Sequence, residues 1–298
     1  MEKQYSRAVL AAFLGHVLWG LSFIINETAL GSATPAIYLT FRFWTAVMVM
    51  HILAAGRHEK FEHMNFRSPD LLLLGLLQVL AFALESYGIL YTNSAFSGVV
   101  LASVPVFSII IAALWIREIP KRRQVFYSLL TVAGVIVITL AGSSSGVIRI
   151  RGVICLLLEC FTVGIYDTLN RKLGEKYSAL EKTYSVFLIG SILYPFWMLF
   201  SMRGNVAEIG RIIAIPQVWT MVLLGGIFPS VVAYTLNNYA AARLPVVVFA
   251  SFSSLITVTA FFTGILILQN SVSPVAVIGS ALVVYGAYKV VAVAGLKN

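Results

Sequence analysis

The most restrictive feature of this sequence is its succession of long apolar stretches separated by short polar turns. A helix needs about 20 residues to cross the hydrocarbon core of a bilayer, and ten stretches close to that length follow one another along the chain. They cover residues 8–29, 36–55, 70–91, 97–117, 124–141, 150–170, 179–201, 216–238, 245–268 and 274–294. The sequence therefore predicts an all-α integral membrane protein with ten transmembrane helices.

The composition argues against a soluble domain. Of the 298 residues, 59% are hydrophobic and 11% are charged, whereas a soluble domain carries about 25% charged residues. The net charge of +9 is explained by lysine and arginine in cytoplasmic loops, so no nucleic-acid partner is expected. The two cysteines, Cys155 and Cys160, share one apolar stretch and are too few for a closed zinc site. We therefore predict neither a metal nor a cofactor.

The distribution of basic residues predicts the orientation of the chain. Residues 8–29 form a longer apolar stretch than the core of a secretory signal, about 7–15 residues, and are interpreted as the first helix. With a cytoplasmic N-terminus, 16 of the 21 basic residues fall on the cytoplasmic side, four on the other side, and Arg42 within a stretch. Because cytoplasmic loops are enriched in lysine and arginine, both termini are predicted to be cytoplasmic, in a multi-pass protein of the cell (inner) membrane.

A similar pattern occurs near the middle of each half of the chain. In the first half, Tyr91 ends an apolar stretch, a short turn follows, and Ser103 lies in the next stretch. An offset of 148 residues places Tyr91 on Tyr239 and Ser103 on Ser251. Internal similarity of this kind is typical of chains built from structural repeats.

The two halves are predicted to have opposite orientations in the membrane. A glycine-serine segment at 142–146 separates residues 1–142 from residues 147–298, and each part contains five predicted helices. Since five is an odd number, the second half enters the membrane from the side opposite to the first. This arrangement is the inverted repeat of many secondary transporters.

Several short motifs occur in a characteristic order along the chain. They are Leu18-Trp19-Gly20, Leu39-Thr40-Phe41-Arg42-Phe43, Tyr91-Thr92-Asn93-Ser94-Ala95, Ser103-Val104-Pro105-Val106-Phe107, Arg117-Glu118 and Gly134-Val135-Ile136-Val137-Ile138. In order and spacing they resemble the drug/metabolite transporter (DMT) superfamily, specifically its EamA-type ten-helix members. The resemblance implies export or exchange of small metabolites such as amino acids through a central cavity between the halves. The ninth stretch departs from the family, which often has an acidic residue there, because it ends in the neutral pair Gln269-Asn270.

Ionisable residues inside the apolar stretches are the candidate functional groups, because a charge within a bilayer is costly. Counting along the predicted helices places Arg42, Glu85 and Glu159 roughly 9–14 Å below the outer surface. His16 lies nearer the midplane, and Glu27 lies at the outer mouth. The similar depths predict one shared polar cavity.

Each of these groups has a functional and a structural interpretation. A carboxyl in a low-dielectric site binds a proton readily, so Glu85 or Glu159 could alternate between a substrate amine and a proton. Arg42 could bind a substrate carboxylate through its guanidinium fork, or it could form a permanent ion pair with Glu85 or Glu27. His16 could relay protons, or it could be a neutral side chain hydrogen-bonded between helices.

Aromatic residues and prolines add further candidates. The aromatic side chains deep enough to contact a substrate cation, or else to serve in packing, are Trp19, Tyr87, Tyr166 and Tyr234. Pro105 and Pro229 lie within stretches, where proline kinks a helix, and are predicted to act as hinges or gates. Asp167 and Arg171 have the spacing of a surface ion pair, and Glu118 is expected to be a solvated or gate-stabilising charge.

Together these features predict a secondary active transporter that exports or exchanges amine-bearing metabolites such as amino acids by alternating access. The alternatives are an importer of a quaternary amine such as choline, and an ion or proton channel. An enzyme is not expected, because the sequence contains no HExxH, GxSxG or glycine-rich phosphate motif. The expected partners are a small-molecule substrate, protons as coupling ion and the lipid bilayer, for a monomer or a homodimer.

Overall fold

The computed structural model describes residues 2–57, 68–92, 94–101, 103–141, 148–203, 205–268 and 274–295, and within these ranges the regular structure is entirely helical. The glycine-serine segment and the Gln269-Asn270 pair lie outside these ranges. The helices are α1 (Glu2–Leu30), α2 (Pro35–Arg57), α3 (Pro69–Tyr91), α4 (Ser94–Leu101), α5 (Val104–Trp115), α6 (Arg122–Ala141), α7 (Ile150–Leu173), α8 (Ala179–Ser201), α9 (Val206–Ile213), α10 (Pro216–Gly225), a π-helical segment (Gly226–Ala233), α11 (Tyr234–Ala241), α12 (Val246–Ser251), α13 (Ser254–Leu268) and α14 (Pro274–Gly295).

Seven helical stretches of the described chain are long and apolar enough to cross a membrane. They are Lys3–Leu30, Pro35–Leu53, Pro69–Tyr91, Ile150–Leu173, Ala179–Ser201, Pro216–Ala241 and Val277–Ala294. Large apolar side chains such as Leu114 and Phe200 are at least 80% exposed, as expected for a surface in contact with lipid. The chain is therefore a multi-pass membrane protein, whereas the count of ten spans stays a prediction.

Local sequence signals account for several helix boundaries. Ser178 and Glu181 form a reciprocal capping box that starts α8. Pro105 lies in the first turn of α5, where the missing N–H costs little, so the fourth predicted stretch is divided into α4 and α5 rather than kinked within one helix. Pro229 lies inside the π-helical segment. At Gly174, the left-handed φ of 52° that ends α7 is a conformation favourable to glycine.

The buried apolar residues form two clusters. The first surrounds α2, α3 and α8 and contains Phe43 and Phe187. The second joins α1 to α11, α12 and α14 and contains Leu244 and Phe249. The candidate cavity described below is lined by residues of both clusters, so the position of the site depends on how the two clusters pack together.

Replacing Gly134 by alanine is expected to weaken the packing of α6 against α14. A Cβ atom at Gly134 would lie 2.8 Å from the carbonyl oxygen of Gly279 and 2.9 Å from the backbone nitrogen of Val283. Since backbone atoms cannot move aside without shifting a helix, we expect overpacking to cost about 1–3 kcal/mol, measured as a lower thermal midpoint in detergent.

Gly210 provides the matched control for this prediction. A Cβ atom there would meet nothing within 4 Å, and alanine is the better helix former. We therefore expect Gly210→Ala to leave the thermal midpoint unchanged or to raise it slightly. Equal midpoints for the two variants would contradict a close approach of α6 and α14.

Candidate functional site

A cavity of about 90 Å³ lies within the bundle, lined by residues of α1, α2, α3, α4, α5, α7, α11, α12 and α13, together with Ser253. Of the eight substrate-binding or coupling residues predicted from the sequence, seven line this cavity: His16, Trp19, Arg42, Glu85, Glu159, Tyr166 and Tyr234. Arg42, Glu85 and Glu159, the three residues predicted to share one depth, thus line one space.

Tyr87 is the exception among the predicted residues. Its ring stacks on Tyr91, with centroids 5.8 Å apart, and also contacts Trp197 at 5.6 Å. The residues that line the cavity do not include it. Tyr87 lies two positions after Glu85, a rotation of about 200° around a helix, so the two side chains leave α3 on nearly opposite sides. Tyr87 therefore lies outside the lining of this cavity, and a role for it in substrate binding stays a prediction.

The guanidinium of Arg42 is anchored by uncharged groups. Its Nε donates to Ser230 Oγ at 2.9 Å, and the same hydroxyl donates to the carbonyl of Gly225 at 2.7 Å. Because Pro229 has no N–H, the carbonyl of Gly225, four residues earlier, lacks its usual α-helical donor, and the hydroxyl of Ser230 supplies one. Ser230 Oγ, held by the Gly225 carbonyl, is thus the acceptor that orients Arg42.

Asn26 lies between Arg42 and Glu85. Arg42 Nη1 donates to Asn26 Oδ1 at 3.0 Å, and Asn26 Nδ2 donates to Glu85 Oε1 at 3.3 Å. Tyr38 Oη donates to the same Asn26 oxygen at 3.0 Å. The ion pairs Glu118–Arg171, Asp70–Lys176 and Glu175–Arg243 do not include Arg42. Arg42 and Glu85 are therefore linked through Asn26 rather than directly, and a pairing of Arg42 with Glu27 stays a prediction. Sequence reasoning missed Asn26, whose only signal was a polar side chain within an apolar stretch.

Glu159 has the least satisfied carboxyl group of the cavity. Its side chain is only 5% exposed, and Oε2 has no hydrogen-bond partner among the described residues. Glu85 lies close enough to interact with it electrostatically. A buried polar atom of this kind is costly unless something binds to it. Glu159 is therefore the group of the cavity most in need of a proton or a cationic ligand.

Asp167 also belongs to the cavity, contrary to the sequence analysis. It is 4% exposed and accepts a hydrogen bond from Ser108 Oγ at 3.3 Å. Arg171, its predicted surface partner, instead donates to Glu118 at 3.2 Å. The signal that could have found Asp167 is its position eight residues after Glu159, which places both carboxyls toward one side of a helix.

His16 forms its hydrogen bond within its own helix. Nδ1 donates to the carbonyl of Ala12, one turn earlier in α1, at 2.7 Å, and a bond of the ring to another helix stays a prediction. The ring packs edge-on against Trp19 and Phe249, each with a centroid distance of 5.1 Å. The Nδ1 bond leaves Nε2 as the ring nitrogen that a proton relay would use.

The polar atoms of the cavity aromatics are held by neighbouring residues. Trp19 Nε1 donates to the carbonyl of Pro229 at 3.2 Å, and Tyr234 Oη accepts from Gln78 Nε2 at 2.5 Å. Tyr166 Oη donates to Asn238 Oδ1 at 2.6 Å. These bonds fix the orientation of the rings. Because the polar atoms are already bonded, the aromatic ring faces are the surfaces that can contact a ligand.

A family model for EamA-like transporters matches the chain at residues 6–140 and again at residues 150–292. The chain belongs to the EamA-like transporter family.

Proteins named as transporters or exporters are similar to it over most of their length. The Bacillus subtilis (strain 168) protein named uncharacterized transporter YcxC is 26% identical over 96% of this chain and 93% of its own. A protein of Streptantibioticus cattleyicolor named probable terminal-alkyne amino-acid exporter is 25% identical over 94% of this chain and 92% of its own. One crystal structure superposes with a TM-score of 0.79 at 17% identity, covering 97% of this chain and 98% of the other. This last likeness concerns the fold alone.

In this EamA-like chain, Glu118 joins three helix ends outside the cavity. Its Oε1 accepts the backbone N–H of Val246, the first residue of α12, at 2.6 Å, and its Oε2 accepts from Arg171 at 3.2 Å. Arg171 Nη1 also donates to the carbonyl of Ala242, just beyond α11, at 3.2 Å. A carboxylate at a helix N-terminus stabilises that terminus, so Glu118 and Arg171 connect α5, α7 and the α11–α12 turn.

Replacing Glu118 by glutamine is expected to loosen this junction. The amide can still accept one hydrogen bond but loses its charge, and a charged acceptor adds about 1 kcal/mol or more to such a bond. Because Glu118 is partly exposed, we expect hydrogen exchange at the Val246 amide to become faster by no more than about ten-fold.

Asp70→Asn is the matched control for that variant. It removes the 2.6 Å pair with Lys176, which lies outside this junction. We expect no change of exchange at Val246 in this control. Unchanged exchange in the Glu118 variant as well would contradict a stabilising role of its carboxylate.

Proposed function

We propose that this EamA-like protein is a secondary active transporter that exports or exchanges small amine-bearing metabolites, such as amino acids, by alternating access through the central cavity. The observation that carries the proposal is the buried Glu159 carboxyl, whose Oε2 lacks a partner among the described residues and which lines the cavity. A substrate ammonium in one step and a proton in another would each satisfy this group. Such competition would couple the movement of substrate to a proton gradient.

The proposed architecture is ten transmembrane helices in two inverted five-helix repeats, residues 1–142 and 147–298, with both termini cytoplasmic in a cell (inner) membrane. Support comes from the placement of helices on all ten predicted stretches. The three ion pairs of the described chain involve Glu118, Asp70 and Glu175, which by the predicted topology all lie on the N-terminal, cytoplasmic side. The excess of lysine and arginine on the same side supports this orientation.

In this proposal, Arg42 binds the carboxylate of a zwitterionic substrate. A guanidinium has five N–H donors, and two of them are used by Ser230 and Asn26, which leaves three for a ligand. The rings of Trp19 and Tyr234 provide surface for an ammonium group through cation–π contact. Pro105 and Pro229 act as the hinges between states.

The exporter direction and the amino-acid class draw support from one relative. The Streptantibioticus cattleyicolor protein is named as a probable exporter of a terminal-alkyne amino acid. Membership in a transporter family also supports a role other than enzymatic catalysis. The protein is proposed to act as a monomer or a homodimer without a cofactor.

Counterflow in proteoliposomes tests this function. The purified protein is reconstituted and preloaded with aliphatic amino acids, aromatic amino acids or choline-like cations, and uptake of the labelled compound is followed against concentration. Saturable exchange of amino acids supports the proposal, whereas exchange confined to quaternary cations supports the alternative importer. A flux that does not saturate with concentration would contradict both transporter interpretations and would indicate an ion or proton channel.

A further inference from the structure

One face of α7 lines the cavity and carries two carboxyl groups about two helical turns apart. The residues of this helix that line the cavity are Glu159, Val163, Tyr166 and Asp167, which have the i, i+4, i+7 and i+8 spacing of a single helix face. The eight-residue interval corresponds to about 12 Å along the axis. An apolar residue, Val163, lies between the two acids. This face of α7 therefore presents two acidic side chains to the cavity, with Val163 and Tyr166 between them along the helix.

Each of the two carboxyls retains capacity for a ligand. Glu159 is 5% exposed and its Oε2 lacks a partner in the described chain. Asp167 accepts one hydrogen bond, from Ser108 at 3.3 Å, whereas a carboxylate has about four acceptor positions. A buried carboxyl oxygen that lines a cavity and has no partner, as in Glu159, is satisfied either by a proton or by a cationic ligand.

The charges that line the cavity are not balanced by its own residues. They comprise the carboxyls of Glu85, Glu159 and Asp167 and the guanidinium of Arg42, so the ionised cavity carries two negative charges in excess. Arg42 cannot neutralise both carboxyls of α7, because Ser230 and Asn26 hold it on the side of Glu85. A ligand with two positive charges would restore neutrality.

Aromatic side chains from other helices that line the same cavity fit the rest of such a ligand. Trp19, Phe82, Tyr234 and Phe249 line the same cavity, and the Trp19 and Tyr234 rings lie 5.0 Å apart at 62°. Ring faces of this kind bind methylene groups by burial and ammonium groups by cation–π attraction.

We infer that the cavity binds an elongated molecule with two ammonium groups joined by a methylene chain, one group at Glu159 and the other at Asp167. This inference rests on the proposed transport function and narrows its substrate class. The shared chemistry occurs in α,ω-diamines and in amino acids with an amine on the side chain, and the second kind would also engage Arg42.

Matched pairs of substrates test the inference with the unaltered protein. Cadaverine is compared with pentylamine, and lysine with norleucine, in the same counterflow experiment. Each pair differs by one ammonium group, and a charge-assisted hydrogen bond corresponds to a difference in half-saturation concentration of about ten-fold or more. A lower half-saturation concentration for cadaverine than for lysine identifies diamines as the preferred substrates. A lower value for lysine identifies basic amino acids.

The Asp167→Asn variant locates the second ammonium group. We expect its half-saturation concentration to rise about ten-fold more for cadaverine than for pentylamine. Asp70→Asn removes a carboxyl outside the cavity. This variant should leave the half-saturation concentrations for cadaverine and for pentylamine unchanged. The elution profile in detergent verifies that both variants are folded.

Two results would overturn the inference and can be told apart. If pentylamine and norleucine are exchanged with the same half-saturation concentrations as cadaverine and lysine, the inferred preference for two ammonium groups is wrong. The proposed transport of amines is then unaffected. If none of the four compounds shows saturable exchange, the proposed function fails together with the inference. A series of diamines from propane-diamine to octane-diamine adds a variant-free test, since two fixed carboxyls require an optimum at intermediate length and a monotonic trend contradicts them.

Discussion

Exchange by the Glu159→Gln variant is expected to be independent of pH, and uptake driven by a proton gradient is expected to fall to the level of protein-free vesicles. Glutamine keeps the size of the side chain but cannot release or bind a proton. The affected oxygen lacks a partner in the described chain, so the substitution breaks no identified bond at that atom. The measurement is labelled-substrate exchange at several pH values, with and without an imposed gradient.

Glu85→Gln is the informative comparison for this result. Glu85 lines the same cavity, but its Oε1 already accepts from Asn26 at 3.3 Å. An amide at this position can still accept that bond, and the anchored geometry of Arg42 should persist. We expect pH dependence to survive in Glu85→Gln. If it survives in Glu159→Gln as well and disappears in Glu85→Gln, the coupling role belongs to Glu85.

Replacement of Arg42 by lysine is expected to have the second-largest effect. A lysine ammonium keeps the charge but cannot reproduce the planar fork that reaches Ser230 and Asn26 at the same time. The loss of one buried hydrogen bond should cost about 1–3 kcal/mol of stability. The remaining N–H groups can no longer bind a carboxylate in the bidentate manner.

The transport consequence distinguishes binding from structure. We expect Arg42→Lys to lower the exchange of norleucine about ten-fold more than that of pentylamine, because the amino acid has a carboxylate and the amine does not. Ser230→Ala is the control, since it removes one hydrogen-bond acceptor of Arg42 but keeps the guanidinium group itself. Equal losses for both substrates in Arg42→Lys would assign Arg42 to structure alone.

The sequence predicted the membrane-embedded helices well because the signal is local. In a bilayer, backbone groups must be satisfied within each segment, so hydropathy alone indicates where helices form. All ten predicted stretches fall on helix. The breaks within three of them were not predicted: the divisions between α4 and α5 and between α12 and α13, and the π-helical segment. Such breaks arise where neighbouring helices supply or replace backbone partners.

The sequence predicted which residue types form the candidate site, but it did not predict which residues they contact. The cost of burying a charge identified Arg42, Glu85 and Glu159 from their positions in apolar stretches, and all three line one cavity. Asp167 was assigned to the surface because its spacing from Arg171 matched an ion pair. Spacing within one helix cannot reveal that Arg171 is attracted to Glu118, which comes from a distant segment.

The sequence by itself determined that this chain crosses a membrane several times, belongs among transporters and carries charged groups within its apolar stretches. Only the tertiary structure decided which of them share a space, with Asn26 between Arg42 and Glu85, Asp167 within the cavity and Tyr87 outside it. The physical reason is rotational. Successive side chains turn by about 100° around a helix, and packing between distant segments determines which side faces the cavity.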